Sequence, residues 1–413
     1  MAKALSVFYF GGVCNESKFE ETISRSKVKP SNSSEIFELN VLRGLQATKE
    51  VDFRIVSTEI IATYPNGYKL FLKKRIDCLF EDTKTLILPS INLPLLKPWI
   101  YSKKLKREFK KWIKDTQNTD RCVLTYGLYS YATKQLLKLC KKHNIKSVLI
   151  MTDSPSFSLR NYDEFSSFAR YAKQKVKRIN LYNEQRFDGY VFLTDYFSEL
   201  VPNKPYIIVE AISSQDFISK AIAFLDDKFI VMYAGTLYKT YGIDVLIEAF
   251  KTVPDNCELW IFGSGEYTDA VKKAAIVNDK IKFYGRVSRQ TILDYEKKAS
   301  LLVLTRLPND EYTKYSFPSK IVEYMLSGTP VLTTKLLGIP NEYFDYVFTI
   351  DECSAFELSS KITSLSLTDK KTMCEFGDRA ARFVSNNKNY IVQGNKILKF
   401  LKTLVLNDEN HTN

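Results

Sequence analysis

Short apolar runs of four to six residues, each followed by a helical pattern, recur along this chain, and that alternation restricts its fold more than any other feature. In the first half the candidate strands are Leu5–Phe10, Asp52–Ser57, Thr85–Leu88, Cys122–Tyr126, Ser147–Met151, Gly189–Thr194 and Tyr206–Val209. Helical periodicity falls between most of them, notably over Glu35–Ala47, Ser130–His143 and Arg160–Arg186. Strand–helix alternation of this kind is what a doubly wound parallel sheet requires. A second series begins at Phe229 and runs through Leu259–Phe262, Ile281–Tyr284, Leu301–Thr305 and Val331–Thr333. Between them, Val201–Asp227 is polar and without clear period, and holds Pro202, Pro205 and Asp226-Asp227. With 413 residues there is enough chain for two full cores. The expectation is an α/β protein of two Rossmann-like doubly wound domains facing a cleft. The boundaries expected are 1–205, a linker at 206–227, 228–387, and a segment 388–413 whose helix, Tyr390–Leu404, crosses back to the first domain. Ligands of such sheets bind at the C-terminal ends of the strands.

The stretch Tyr315-Ser-Phe-Pro-Ser-Lys-Ile-Val-Glu-Tyr-Met-Leu-Ser-Gly-Thr-Pro-Val331 reads as a loop, a short helix, a stop and a buried strand. Pro318 suits the first helical position, and Gly328 with Pro330 ends the helix. Ile321, Val322, Met325 and Leu326 form an apolar stripe, while Lys320 and Glu323, three apart, share a neighbouring face. A Lys in the first turn opposes the helix macrodipole, so it is the wrong charge for stability alone. It makes sense beneath an anion, where it reinforces the backbone donors of the helix end. Pairing of Lys320 with Glu323 on a solvated surface is the other reading.

This stretch closely resembles the nucleotide-sugar site of GT-B glycosyltransferases, in particular family 4, where a helix carrying P-S-K-x-x-E-Y-x-x-x-G-x-P-V closes over the donor. Three further segments resemble the family in order. Ala234-Gly-Thr-Leu-Tyr-Lys-Thr-Tyr-Gly-Ile-Asp-Val-Leu-Ile-Glu-Ala-Phe250 resembles its strand, glycine loop and helix that receive the diphosphate. Leu259-Trp-Ile-Phe-Gly-Ser-Gly-Glu266 resembles its next strand and G-x-G turn, and Ile281-Lys-Phe-Tyr-Gly-Arg-Val287 the segment framing the base. A lone G-x-G would carry little weight; four ordered matches carry much more.

The resemblance implies roles. Glu323 would accept hydrogen bonds from both ribose hydroxyls, and Lys320, beside Ser319, would neutralise the diphosphate as charge builds on the leaving group. Gly235 and Thr236 would bring backbone and hydroxyl donors to the phosphates, with Lys239 adding charge. Gly263 and Gly265 would let the chain pass close to the nucleotide, although a tight strand-to-helix turn needs the same glycines. Arg286 follows the base-framing strand, as a ligand contact or as a surface Arg. On the acceptor side, Gly11-Gly12 after the first strand would allow close backbone approach. Asp153, in Val148-Leu-Ile-Met-Thr-Asp-Ser-Pro155, is either an acceptor-hydroxyl base or a helix cap. Two departures stand out. Where many members carry E-x7-E, this chain has Tyr315 eight residues before Glu323, leaving Asp310 and Glu311 as nearby acids. Thr236 and Tyr241 replace the frequent basic pair of the diphosphate loop.

A basic helix is the other prominent feature. Lys97, Lys103, Lys104, Lys106, Arg107, Lys110, Lys111 and Lys114 face one acid, Glu108, a net +7 within a chain whose whole charge is +13. Tyr101, Leu105, Phe109, Trp112 and Ile113 fall at helical spacing, with Trp99 and Ile100 just before. Such a helix suits an anionic membrane surface, or packs its stripe on a sheet with its charges outward, and the two are compatible. Lys103, Lys104, Lys106, Arg107, Lys110 and Lys111 are the expected membrane-facing cations. The charge is local and accompanies no nucleic-acid-binding motif, so nucleic acid is not an expected partner.

No uncharged apolar run approaches the ~20 residues that span a bilayer. The N-terminus runs straight into a strand with no signal-peptide pattern. Seven Cys form no C-x-x-C pair, which suits reduced, buried thiols. With only His143 and His411, a His-based metal site or general base is not expected.

Together these features point to a cytoplasmic glycosyltransferase, peripheral at the inner face of the plasma membrane. It would move a sugar from a UDP- or GDP-linked donor to a lipid-linked or other saccharide acceptor in bacterial surface-polysaccharide synthesis. The resemblance implies retention of configuration and no essential metal or other cofactor. A silent relative acting as a membrane scaffold, which Tyr315 keeps open, and a nucleotide-sugar epimerase are the alternatives.

Overall fold

The computed structural model describes residues 4–30, 32–157, 167–213, 228–308 and 311–406. The chain divides into two units, Met1–Ile212 with Tyr390–Asn413, and Ser213–Asn389. The first contains β1 (Leu5–Gly11), α1 (Glu16–Arg25), α2 (Asn32–Ala47), β2 (Val51–Ser57), β3 (Phe71–Leu72), β4 (Arg75–Phe80), β5 (Thr83–Ile87), β6 (Ser90–Ile91) and α3 (Leu96–Asp115). It continues with β7 (Arg121–Tyr126), α4 (Tyr131–Lys142), β8 (Lys146–Met151), α5 (Ser167–Glu184), β9 (Gly189–Phe192) and β10 (Tyr206–Ile208). Eight strands form one sheet in the order β10-β9-β8-β7-β1-β2-β5-β4. Every neighbouring pair is parallel except β4 on β5. The small antiparallel pair β3–β6 stands apart.

Burial follows from strand geometry. Successive side chains of β1 alternate faces, and both faces are covered, so every residue of Leu5–Gly11 is buried. Phe8 and Phe10 join Tyr101, Leu105, Phe109 and Trp112 of α3 and Leu136 and Leu139 of α4. Val7 and Tyr9 join Val41, Leu42 and Leu45 of α2 on the other face. The expected linker at 206–227 is corrected at its start. Tyr206–Ile208 pairs with Tyr190–Phe192 as the sheet's edge, because Tyr206 and the two isoleucines continue the β pattern past Pro205. Residues 214–227 lie outside the described residues, as does 160–166 of the expected helix Arg160–Arg186.

The second unit contains β11 (Phe229–Ala234), α6 (Ile243–Ala249), β12 (Cys257–Phe262), α7 (Thr268–Val277), β13 (Ile281–Gly285), α8 (Arg289–Glu296) and β14 (Leu301–Leu304). Then follow α9 (Lys320–Leu326), β15 (Val331–Thr334), β16 (Phe348–Ile350), α10 (Ala355–Ser366) and α11 (Lys370–Asn387). Its six strands are parallel in the order β13-β12-β11-β14-β15-β16. The order reverses at β11, which places the topological switch point between β11 and β14.

The last helix, α12 (Tyr390–Leu406), belongs to the first unit. Its buried Ile397, Leu398, Leu401 and Leu404 recur at helical spacing and join the α2 side of the sheet. Glycines let the two backbones touch: a Cβ on Gly394 would stand 2.2 Å from the carbonyl carbon of Gly44, and one on Gly44 2.2 Å from the Tyr390 carbonyl oxygen. Among the described residues no helix is long and apolar enough to cross a membrane.

Candidate functional site

The second unit gathers four charged side chains around the start of α9. Lys320 forms an ion pair with Glu323, three residues on. Its Nζ also lies 3.4 Å from Oε1 of Glu296, the last residue of α8. Arg289, at the start of α8, stands 3.7 Å from the other oxygen of Glu323. Arg289 and Glu296 are seven apart, two turns of one helix face, so α8 presents a cation and a carboxyl along one line. Glu296 is fully buried, and neither of its oxygens has a hydrogen bond of ordinary geometry. Burial pushes its carboxyl up to about 8 against the pull of Lys320, and the charge of Glu323 pushes in the same direction. Burial also opposes ionisation of Glu323, but Lys320 and then Arg289 outweigh it and hold that carboxyl below its usual range. Burial thus favours the protonated form of Glu296, while Lys320 and Arg289 favour the ionised form of Glu323.

The pairing of Lys320 with Glu323 is real, but it is not on a solvated surface: 29% of Lys320 and 25% of Glu323 are exposed, over the fully buried Glu296. The helix also starts later than Pro318. Ile321 N donates to the Pro318 carbonyl (2.9 Å), a tight first turn, and α9 spans only seven residues. So short a helix has a weak dipole, which leaves the Lys320 side chain as the main positive feature. Ser319 at its cap is exposed, and its side chain makes no capping bond.

Tyr324 ties this helix to the glycine loop. Its buried hydroxyl accepts from Ala234 N (2.8 Å) and donates to the Ala234 carbonyl (3.2 Å), and Lys320 Nζ sits 5.3 Å from its ring. Ala234 ends β11, so these bonds tie α9 to the strand that leads into Gly235 and Thr236, both exposed. The other glycines serve the turn. A Cβ on Gly263 (φ 129°) would meet the Gly235 carbonyl oxygen at 1.8 Å, and one on Gly265 the Leu237 carbonyl oxygen at 2.4 Å. Their amides are committed, Gly263 to Gly285 (2.8 Å) and Gly265 to Thr268 Oγ1 (2.9 Å), as is that of Gly235 to Phe262 (3.1 Å). The amides of these three residues are thus bonded within the turn, and the close packing of Gly263 and Gly265 is what a tight strand-to-helix turn requires. Lys239 is 70% exposed, 3.9 Å from Asp244. Arg286 is exposed and has no ion pair among the described residues; the arginine beside Glu323 is Arg289. Tyr284 of the base-framing segment stacks on Phe262 (4.6 Å between centroids) and is 39% exposed. Tyr315 is buried. Asp310 and the side chain of Glu311 lie outside the described residues.

In the first unit the expected acceptor-side glycines meet a protein carboxylate. Gly12 N and Tyr9 OH both donate to Glu38 Oε1 (2.8 Å each), and a Cβ on Gly11 would fall 1.8 Å from that oxygen. Burial pushes Glu38 up to about 8. The close approach that Gly11 permits is thus to α2, whereas a Cβ on Gly12 would meet the Tyr129 hydroxyl at 2.9 Å. Asp153 is exposed just past β8, and the short turn Pro155–Phe157 after it is capped by Ser154, whose Oγ accepts from Ser156 N (3.1 Å).

The stripe of α3 faces the sheet, where Trp112 donates to Ser6 Oγ (2.9 Å) against Phe8 (5.4 Å). Trp112 is therefore no membrane anchor, whereas Trp99 is half exposed with Lys103 over its ring (3.6 Å). Lys97 turns inward to the Ile61 carbonyl (2.6 Å), and burial lowers it to about 8. Lys103, Lys106, Arg107, Lys110 and Lys111 are exposed and Lys104 is half-buried; Lys111 pairs with Glu108 (2.9 Å).

Residues 214–388 match the family described as glycosyl transferases group 1. No curated protein sequence matches the chain. Solved structures resemble it over nearly its whole length. Sucrose-phosphate synthase from Thermosynechococcus elongatus is 12% identical, with 97% of this chain and 99% of that one covered and a TM-score of 0.62. Anabaena HepE in complex with UDP is 13% identical, with 96% and 100% covered and a TM-score of 0.61. The lipopolysaccharide outer core galactosyltransferase WaaB is 12% identical, with 97% and 99% covered and a TM-score of 0.60. The chain has the GT-B fold, and its second unit carries a glycosyltransferase group 1 domain.

Proposed function

We propose that the protein is a retaining glycosyltransferase that uses a nucleoside-diphosphate sugar, UDP- or GDP-linked, and a lipid-linked or other saccharide acceptor. The observation that carries this reading is the cluster of Lys320, Glu323, Glu296 and Arg289, placed by Tyr324 against the end of β11 inside the matched region. The bond from the anomeric carbon to the diphosphate breaks, and a bond from that carbon to the acceptor oxygen forms on the same face. The acceptor's proton leaves with the departing phosphate, and Lys320 stabilises the charge that develops there. Glu323, ionised, accepts from the ribose hydroxyls. The exposed Tyr284 ring offers a flat face for the base. HepE, solved with UDP and with UDP-glucose, supports a uridine donor.

The exposed cations of α3, outward from a stripe that is already buried, support docking on an anionic cytoplasmic membrane surface, at ~1 kcal/mol per basic residue. This would place the enzyme where lipid-linked acceptors for surface polysaccharides are assembled. No metal is required by this mechanism. The test is transfer from UDP-glucose, and from a panel of other nucleotide sugars, to a lipid-linked saccharide in the presence of EDTA, followed by mass spectrometry. Wild type releases nucleoside diphosphate with a product of retained configuration, and Glu323→Ala does not. Equal turnover by Glu323→Ala would remove the site assignment, and nucleotide binding without turnover on any acceptor would favour the scaffold.

A further inference from the structure

The cations of the first unit converge on a place the proposed reaction does not use. A groove of about 650 Å³ runs between α4 and α5, along the starts of β8 and β9. Parallel α/β sheets take their principal ligands at the other strand ends. Six cations line the groove: Lys134, Lys138, Lys141, Lys146, Arg186 and Lys204. Its one acid, Asp188, is committed to the strand start, where its Oδ2 accepts from Ser147 N (2.8 Å) and Ser147 Oγ (2.7 Å). Arg186 lies 3.6 Å over the ring of Tyr182, and Lys134 5.3 Å from it. Lys138, Lys141 and Lys204 have no ion pair among the described residues.

The fold does not need this charge. α4 packs through Ala132, Thr133, Leu136, Leu139 and Cys140, and like charges around one cavity repel. Nor is the charge spread evenly over the chain. The helices α3, α4 and α5 carry seventeen Lys and Arg against three acids, a net +14, whereas the whole chain is +13. Of these seventeen, Lys134, Lys138 and Lys141 of α4 line the groove, and Lys146, Arg186 and Lys204 reach it from outside the three helices.

We propose that the groove is a second ligand site, distinct from the donor site, for an oligoanion bearing two or more phosphate groups. Five of the six cations are lysines, compact point charges suited to phosphate oxygens that approach from several directions. The volume lies within the ~300–1,000 Å³ of small-molecule pockets, and a concave groove fits a discrete ligand or one segment of a phosphate-bearing chain better than a lipid plane. The proposal does not depend on the sugar-transfer reading.

The test uses the full chain, inorganic tripolyphosphate as probe, and calorimetry in 150 mM salt, where exposed charges more than ~8 Å apart are largely screened. Lys138→Glu with Lys141→Glu reverses two exposed groove charges. Lys396→Glu with Lys399→Glu makes the same change in net charge on the exposed side of α12. Circular dichroism checks that both variants are folded. The groove variant should bind at least tenfold more weakly, the α12 variant should match wild type, and the thermal shift given by nucleotide should be the same in all three. Equal weakening in both variants, or no binding by wild type, overturns the proposal, since attraction would then follow net charge alone. In a second arm, vesicles containing phosphatidylglycerol are sedimented with each protein. Loss of vesicle binding in the groove variant, with tripolyphosphate binding intact, assigns the groove to lipid and overturns it as well.

Discussion

Replacing Glu296 with Gln keeps the shape of a protonated carboxyl and removes its ability to ionise. In the folded chain this carboxyl is raised to about 8 from the ordinary 4.5, chiefly by burial. A carboxyl raised on folding binds more protons in the native state than in the unfolded one, so stability is full below the unfolded value and is lost as pH rises through the folded value. Between pH 5 and pH 7.5 the linkage amounts to about 3 kcal/mol for this one group, at ~1.36 kcal/mol per pKa unit. The same window costs Glu296→Gln nothing from this position. Glu35 and Glu38, also raised to about 8 by burial, titrate in both proteins and cancel in the difference. The assay is the pH dependence of the unfolding temperature of the two proteins. Wild type should lose about 6–12 °C relative to the variant over that interval, at ~2–4 °C per kcal/mol for a unit of this size. Parallel curves would refute the reasoning: Glu296 would then be ionised at neutral pH, with Lys320 as its counterion.

Three further changes probe the same architecture. Lys320→Ala removes the cation between two carboxyls, and transfer should fall about 10²–10³-fold with the circular dichroism spectrum kept; full activity would mean that another cation holds the leaving group. Tyr324→Phe strands the buried Ala234 amide at a cost of about 1–3 kcal/mol, read as a lower urea midpoint; an unchanged midpoint would contradict the link between α9 and β11. Gly394→Val drives a side chain into the Gly44 backbone, and the separation of α2 and α12 should cost about 1–3 kcal/mol or more; a neutral result would mean that the two helices do not touch as described.

What the sequence revealed depended on how local each determinant is. The α9 segment was legible because its stop (Gly328, Pro330), its apolar stripe and its charge spacing all lie within seventeen residues. Glu296 was not legible. A Glu ending a helix looks like a solvated residue until α9, twenty-four positions later, folds over it. The one available signal was its seven-residue spacing from Arg289, which puts both on a single helix face. Gly11-Gly12 suggested a ligand for a related reason: the partner is Glu38, brought in by α2, and glycines that admit a side chain read the same as glycines that admit a phosphate. Within the basic helix, periodicity identified the stripe but not its destination. Lys97 turns inward because the Ile61 carbonyl is there to receive it, a tertiary fact. The edge strand Arg75–Phe80 was missed because its mixed charged and apolar residues give no period, and only pairing with Thr83–Ile87 makes it a strand.

The account's central claim is that Lys320 and Glu323 bind a nucleoside diphosphate. The most direct test is thermal shift of wild type and Glu323→Ala with UDP, GDP, ADP, CMP and dTDP, each in EDTA. Ligand at ~100 times its dissociation constant should stabilise the fold by ~2.7 kcal/mol. The account predicts a shift with one diphosphate in wild type that is lost in the variant. A shift that survives in Glu323→Ala, or none with any nucleotide, would contradict it.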